Sequence, residues 1–180
     1  MELNLYLNKD NPEWIKKYND LVNKAIRHVQ VCIEIYNYQR KKGRLFLHEH
    51  PWLAKSWKIS NMISLVECDD VILVRADMCH FGMVTRIGKV GGPTGPAKKP
   101  TGFLTNSAHI AEELNHRCPG DHVHIPLMGG RAAGAAIYPE KLCEAVCRGL
   151  KSHKESLRNG KVTTLPLDAN RLRGIGMICE

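Results

Sequence analysis

The chain has 180 residues and no apolar run that approaches the roughly 18 residues a membrane-spanning helix needs, which excludes a helical span as a sequence reading. Its opening stretch, MELNLYLNKDNPEW, lacks the basic, apolar and small-residue succession of a secretory signal. The expected compartment is therefore intracellular and reducing, cytoplasm or nucleus. An even, regularly spaced cysteine set is also missing. Seven cysteines at irregular intervals argue against a disulfide framework and leave thiols or metal ligands. The glycine-rich stretch KVGGPTGPAKKP lacks the Gly-Lys-Ser/Thr ending of a phosphate-binding loop and is not a strand feeding directly into a helix, so a nucleotide-binding loop is excluded. No serine or cysteine nucleophile with an adjacent base can be read from the order of residues, and a hydrolase has no positive support. Acidic residues are in deficit: 18 Asp and Glu against 26 Lys and Arg give a formal charge of +8. That balance suits an anionic partner such as DNA or RNA, the alternative being plain solubility.

What is present is an ordinary globular composition, 43% hydrophobic and 24% charged, at a length that supports one domain. The clearest element begins at Asn11, an N-cap followed by Pro12 and Glu13. From there Trp14, Tyr18, Leu21, Val22, Ala25, Val29, Cys32, Ile33 and Tyr36 recur at intervals of three and four. This predicts a helix over 12–42, closed by Gly43 and with Arg40, Lys41 and Lys42 complementing its dipole. A strand over 44–50 follows at once, then a helix over 60–67 and a strand over 71–78 whose unbroken apolar run, VILV, suits burial on both faces. Six glycines and three prolines in the 23 residues 80–102 predict a long loop or loose hairpin with a basic tip. FLTN reads as a short strand, SAHIAEELNHRC as a helix capped by Ser107, and YPEKLCEAVCRGLKSHKE as a final helix. On that helix Cys143 and Cys147 are expected to join Leu142, Val146 and Leu150 in a buried stripe. The expected fold is α/β, a partial Rossmann-like three-layer sandwich with a truncated, mostly parallel sheet and flanking helices over 1–155, followed by a loosely ordered tail over 156–180.

Two groups of residues carry candidate chemistry. The first is HEH at 48–50, where a carboxylate between two imidazoles ends a core strand; strand alternation forbids all three from entering one pocket. Ligands in open α/β sheets sit beyond the carboxyl ends of the strands, which places Glu49 with Asp77 and Cys79 on one edge. The alternative is a solvated strand end whose imidazoles pair with a nearby carboxylate. The second group is Cys118, His122 and His124 in CPGDHVH, with Cys79 as a fourth member. Thiolate and neutral imidazole are zinc's preferred ligands, and a closed site would fasten a loop-rich region. The spacing matches no standard finger, and ordinary loop residues are the alternative. Lys98, Lys99 and Arg131 are the candidate contacts to nucleic acid.

The order strand, HEHP, helix, strand, DMCHFG, basic loop, KKPTGFLTNS, helix, CPGDHVH, GGRAAGAAIYP, helix resembles a domain in the polyproteins of copia-type retroelements. It is also similar to the latter half of phage DNA cytosine-5 methyltransferases, over about residues 14–151. The resemblance implies that Glu49 occupies the position of the glutamate that hydrogen-bonds a flipped cytosine, with His50 replacing that family's Asn. The glycine-rich turn for S-adenosylmethionine and the Pro-Cys nucleophile loop have no counterpart here. The resemblance therefore implies a catalytically incomplete, methyltransferase-like remnant of a retrotransposon polyprotein, a fragment that binds no S-adenosylmethionine. Its open strand edge would be covered by a second chain or by the missing N-terminal half. A zinc-stabilised nucleic-acid-binding module and an enzyme using Glu49 together with a partner chain are the alternatives.

Overall fold

A computed structural model describes residues 6–87, 92–128 and 130–160. Helix α1, Pro12–Lys41, begins where the side chain of Asn11 accepts the Trp14 N–H at 3.0 Å. It ends before Gly43, which supplies a φ of +63°. Of its 30 residues, the part that meets the core lies toward the C-terminal end, where Val29, Ile33 and Tyr36 pack. Strand β1, Leu47–Pro51, follows, then a 3-10 turn at Lys55–Lys58, helix α2 at Ser60–Val66 and strand β2 at Ile72–Asp77. Strands β3, Val84–Arg86, and β4, Thr94–Pro96, pair as an antiparallel hairpin. Its tip, expected to be basic, lies outside the described residues. Strand β5, Pro100–Thr105, leads to helix α3, Ala108–Leu114, where Ser107 Oγ accepts the Ile110 N–H as the expected N-cap. Helix α4, Glu140–Arg158, is the last described element. It carries helical structure three residues into the expected tail, and residues 161–180 lie outside the described set. Among the described residues no helix is long and apolar enough to cross a membrane.

The fold is mixed α/β, but the expected parallel Rossmann-like sheet is not what forms. The main sheet has the order β1-β5-β2, and β5 is antiparallel to both neighbours. Strands β1 and β2 do run in the same direction, as the intervening helix suggests, yet they never touch because β5 enters between them. Unbroken apolar character signals burial on two faces, which any central strand under two layers of helix experiences, whatever its direction. Strand β5 meets that condition most fully, with five of its six residues buried.

Alternate residues of the sheet feed two cores. Phe103, Val74 and Ala76 face α3 and α4, joining Ile110, Ala111, Leu114, Leu142 and Ala145. Leu104 and Leu73 face α1, α2 and Trp57. Two glycines permit close approach. A Cβ on Gly102 would lie 2.7 Å from Trp57 Cζ2, and one on Gly149 would lie 2.7 Å from the Ile110 backbone where α4 crosses α3. Residues 44–46, expected in the first strand, are held by side chains instead: Asn106 bonds the Phe46 N–H and the Arg44 carbonyl, and Thr105 Oγ1 bonds the Phe46 carbonyl at 2.7 Å. The expected buried stripe on α4 also needs correcting. Leu142, Ala145 and Gly149 define its inward face, whereas Cys143 and Cys147 are exposed, one position further round the helix.

Candidate metal centre and the strand edge around it

Beyond β2 the chain turns sharply over Met78–Gly82. The Gly82 N–H reaches the Cys79 carbonyl at 3.0 Å, the Met83 N–H reaches the Met78 carbonyl at 3.1 Å, and Gly82 takes a φ of +85°. Met78 and Phe81 anchor this turn in the core and leave Cys79 at its inner side, 8% exposed. The loop after α3 is drawn to the same place. The Asp77 N–H bonds the His116 carbonyl at 3.0 Å, the Cys118 N–H bonds Asp77 Oδ2 at 3.1 Å, and the rings of His80 and His116 stack with centroids 4.5 Å apart.

Cys79, Cys118, His122 and His124 consequently converge, with one donor atom from each lying within 4.8 Å of all the others. Cys118 Sγ is 3.5 Å from His122 Nε2 and 3.3 Å from His124 Nε2, and the two Nε2 atoms are 3.1 Å apart. Tetrahedral zinc with bonds of about 2.3 Å to sulfur and about 2.0–2.1 Å to nitrogen requires donor separations of roughly 3.3–3.8 Å, so the set is close to the needed size. Outer contacts fit the same purpose. Asp121 Oδ1 accepts from His122 Nδ1 at 2.6 Å, which directs the lone pair of Nε2 inward. The Gly120 N–H points at Cys118 Sγ at 3.4 Å, in a turn made by the φ of +84° at Gly120. Burial first, and then the neighbouring Cys118 thiol, push the Cys79 thiol up to about 11. A thiol raised in this way, as Cys79 is, ionises near neutral pH only against a cation. Four protein donors leave no open position, so the centre is suited to holding structure rather than to activating water.

Asp77 is the electrostatic hub beside this centre. Its side chain is buried, and Arg117 Nε lies at 3.1 Å, Arg75 at 3.7 Å and Lys98 Nζ at 3.9 Å from its carboxylate. Burial alone would raise its pKa, but the Cys118 N–H, Arg117 and Lys98 outweigh that and hold it below the ordinary carboxylate range.

The three residues of HEH separate as strand alternation requires. Glu49 turns to the α3/α4 side, where Tyr138 donates to Oε2 at 3.0 Å and Lys99 Nζ lies 3.6 Å from Oε1. Burial and the Glu49 carboxylate raise the Tyr138 hydroxyl to about 12, so it is a firm donor. His48 and His50 turn to the opposite core. His48 Nδ1 meets the Tyr36 hydroxyl at 3.0 Å and its ring stands edge-on to Trp57. Burial, assisted by His50, lowers His48 to about 4, and burial lowers His50 as well. Both imidazoles are neutral packing groups at pH 7, so they are not a solvated strand end paired to a carboxylate. Glu49 and Asp77 are served by successive lysines, Lys99 lying near Glu49 and Lys98 near Asp77, while Cys79 joins Cys118, His122 and His124.

Comparison of the chain with protein-family models, with curated proteins and with solved structures finds no match.

The sequence-predicted residues thus divide. Cys79, Cys118, His122 and His124 come together, and Lys98 stands at the Asp77 hub. Lys99 instead spans Glu49 and the Ala135 carbonyl, and Arg131 bonds the Pro126 carbonyl within its own loop. Sequence reasoning missed Arg75 and Arg117, which face Asp77, and Tyr138, which bonds Glu49. Arg75 had a visible signal, a charge within a run otherwise buried on both faces. Arg117, directly before Cys118, had none that distinguished it from a solvated loop cation.

Proposed function

We propose that this chain is a nucleic-acid-binding module whose loop-rich half is fastened by zinc at Cys79, Cys118, His122 and His124. The observation that carries the reading is the convergence of four soft or borderline donors from two distant segments, with carboxylate and amide support behind them. A chain with excess positive charge and a closed, non-catalytic metal centre is suited to recognition rather than turnover. The sequence resemblance to a methyltransferase-like remnant of retroelement polyproteins stands as a proposal about ancestry. The antiparallel sheet removes its fold-level support, which is why the module is the preferred reading. An enzyme built on Glu49 has less to work with, since Tyr138 and Lys99 already occupy that carboxylate.

Elemental analysis of the purified chain, paired with thermal melts with and without a strong chelator, tests the metal. About one zinc per chain and a lower melting temperature on chelation are expected. A metal-free chain with an unchanged melt overturns it. Retention of DNA at low salt, weakening steeply as salt rises, is the matching expectation for the partner. A metal-loaded chain that retains neither single-stranded nor duplex DNA refutes the binding role.

A further inference from the structure

Resting on that reading and narrowing it, we infer that the partner is single-stranded nucleic acid, held at the edge formed by Trp52, Arg75, Lys98 and Arg117. These residues come from four places in the chain: the turn after β1, strand β2, the connection into β5, and the loop after α3. They nonetheless form one contiguous surface. The Arg75 guanidinium lies 5.6 Å from the centroid of the Trp52 ring and 3.7 Å from Asp77, which in turn gathers Arg117 and Lys98. The backbone N–H of Trp52 donates to the Pro100 carbonyl at 3.0 Å, and the indole lies against Gly102, so the residue is held in place.

Charge and exposure fit a phosphodiester chain with a stacked base. Three cations face the single Asp77 carboxylate, an excess of two positive charges. The side chains of Arg117 and Lys98 are 51% and 40% exposed, leaving them open to an incoming phosphate. Burial first, and then the Arg117 charge, depress Arg75, and a bound anion would offset the second of these. The Trp52 indole Nε1–H and the Arg75 Nε are both buried without a hydrogen-bond partner among the described residues. These unmet donors lie beside the surface where acceptors of a nucleotide would arrive. A partly exposed tryptophan flanked by cations is the combination that binds unpaired strands, in which bases stack on an aromatic face while phosphates follow the positive groove. A duplex keeps its bases stacked on one another and offers no face to Trp52.

The test is fluorescence anisotropy of a labelled oligothymidylate and of a duplex of equal length, titrated with the metal-loaded full chain at several salt concentrations. Wild type should prefer the single strand, with a log–log salt slope of about −1.4 for the two exposed cations at roughly 0.7 each. Trp52→Ala should weaken single-strand binding by about tenfold. Lys98→Gln, at an exposed position that leaves the packing intact, should flatten the slope by about 0.7 and serves if Trp52→Ala does not fold. Binding that is indifferent to both substitutions, or a preference for duplex, overturns this inference and leaves the broader binding role standing. Failure of the wild type to bind either oligonucleotide removes both.

Discussion

The neutral imidazole buried under Trp57 makes the stability of the protein depend on pH in a way that one substitution isolates. His48 titrates near 6.5 in an unfolded chain and at about 4 in the folded one. Between those values the unfolded chain takes up a proton that the folded protein refuses. The contribution is therefore fully present above pH 6.5 and is lost as pH falls toward 4. Linkage for a single site with these two values gives a loss of about 1.3 kcal/mol between pH 7.5 and 5.5, and about 2.5 kcal/mol by pH 4.5. His48→Gln keeps a neutral polar side chain opposite the Tyr36 hydroxyl and cannot titrate. Urea unfolding of wild type and His48→Gln across this range, zinc present throughout, gives two curves of stability against pH. Lost packing against Trp57 offsets them by a constant, and protonation of the metal ligands affects both alike. What remains is a gap that narrows by about 2.5 kcal/mol between pH 7.5 and 4.5. Two curves that stay parallel to within about 0.3 kcal/mol would refute the assignment of His48 as a buried neutral group.

Two further outcomes are expected from equilibrium unfolding. Gly102→Ala should cost about 1–3 kcal/mol, because the new methyl meets the Trp57 ring at 2.7 Å and the Trp52 ring at 3.3 Å on a central strand; a change under about 0.5 kcal/mol would mean that the two indoles do not rest on that backbone. Asp77→Asn should cost about 2–4 kcal/mol and lower zinc retention, since it strands the Arg75, Lys98 and Arg117 charges and weakens the acceptor holding Cys118. Unchanged stability with full metal content would show that the hub holds nothing in place.

The helices were the most legible elements, and for local reasons. Asn11 with Pro12 and Ser107 are caps whose action extends three residues, and α1 and α3 start where those caps place them. The membership of the Cys79, Cys118, His122 and His124 cluster was also readable, since residue type limits what can serve as a soft or borderline metal donor. Strand direction was not readable. The feature that decides it is β5, whose beginning, KPTG, resembles loop until Trp57 covers Gly102 and Thr101 becomes buried. The exposed pair Cys143 and Cys147 illustrates the same limit at finer scale. Apolar side chains at helical spacing outlined two adjacent stripes, and only the fit of Gly149 against Ile110 selects the inward one. The placement of Arg75, Arg117 and Trp52 arises from contacts across 23 to 40 positions of chain, which no local pattern encodes.

The central position of β5 also governs the order in which the molecule can assemble during synthesis. Among the described residues every pairing in the main sheet involves residues 100–105. Until that segment leaves the ribosome, β1 and β2 have been made without a hydrogen-bonding neighbour, each carrying apolar side chains and an open backbone. Fifty-eight positions separate Leu47 from its partner Thr105, so closure is a late, long-range event rather than a local zipper. The nascent chain is thus most exposed to misassociation just before β5 emerges, and the ligands Cys118, His122 and His124 follow only afterwards. Vectorial synthesis therefore completes the Cys79, Cys118, His122 and His124 cluster last, so that any metal it holds would be taken up after β5 has been made.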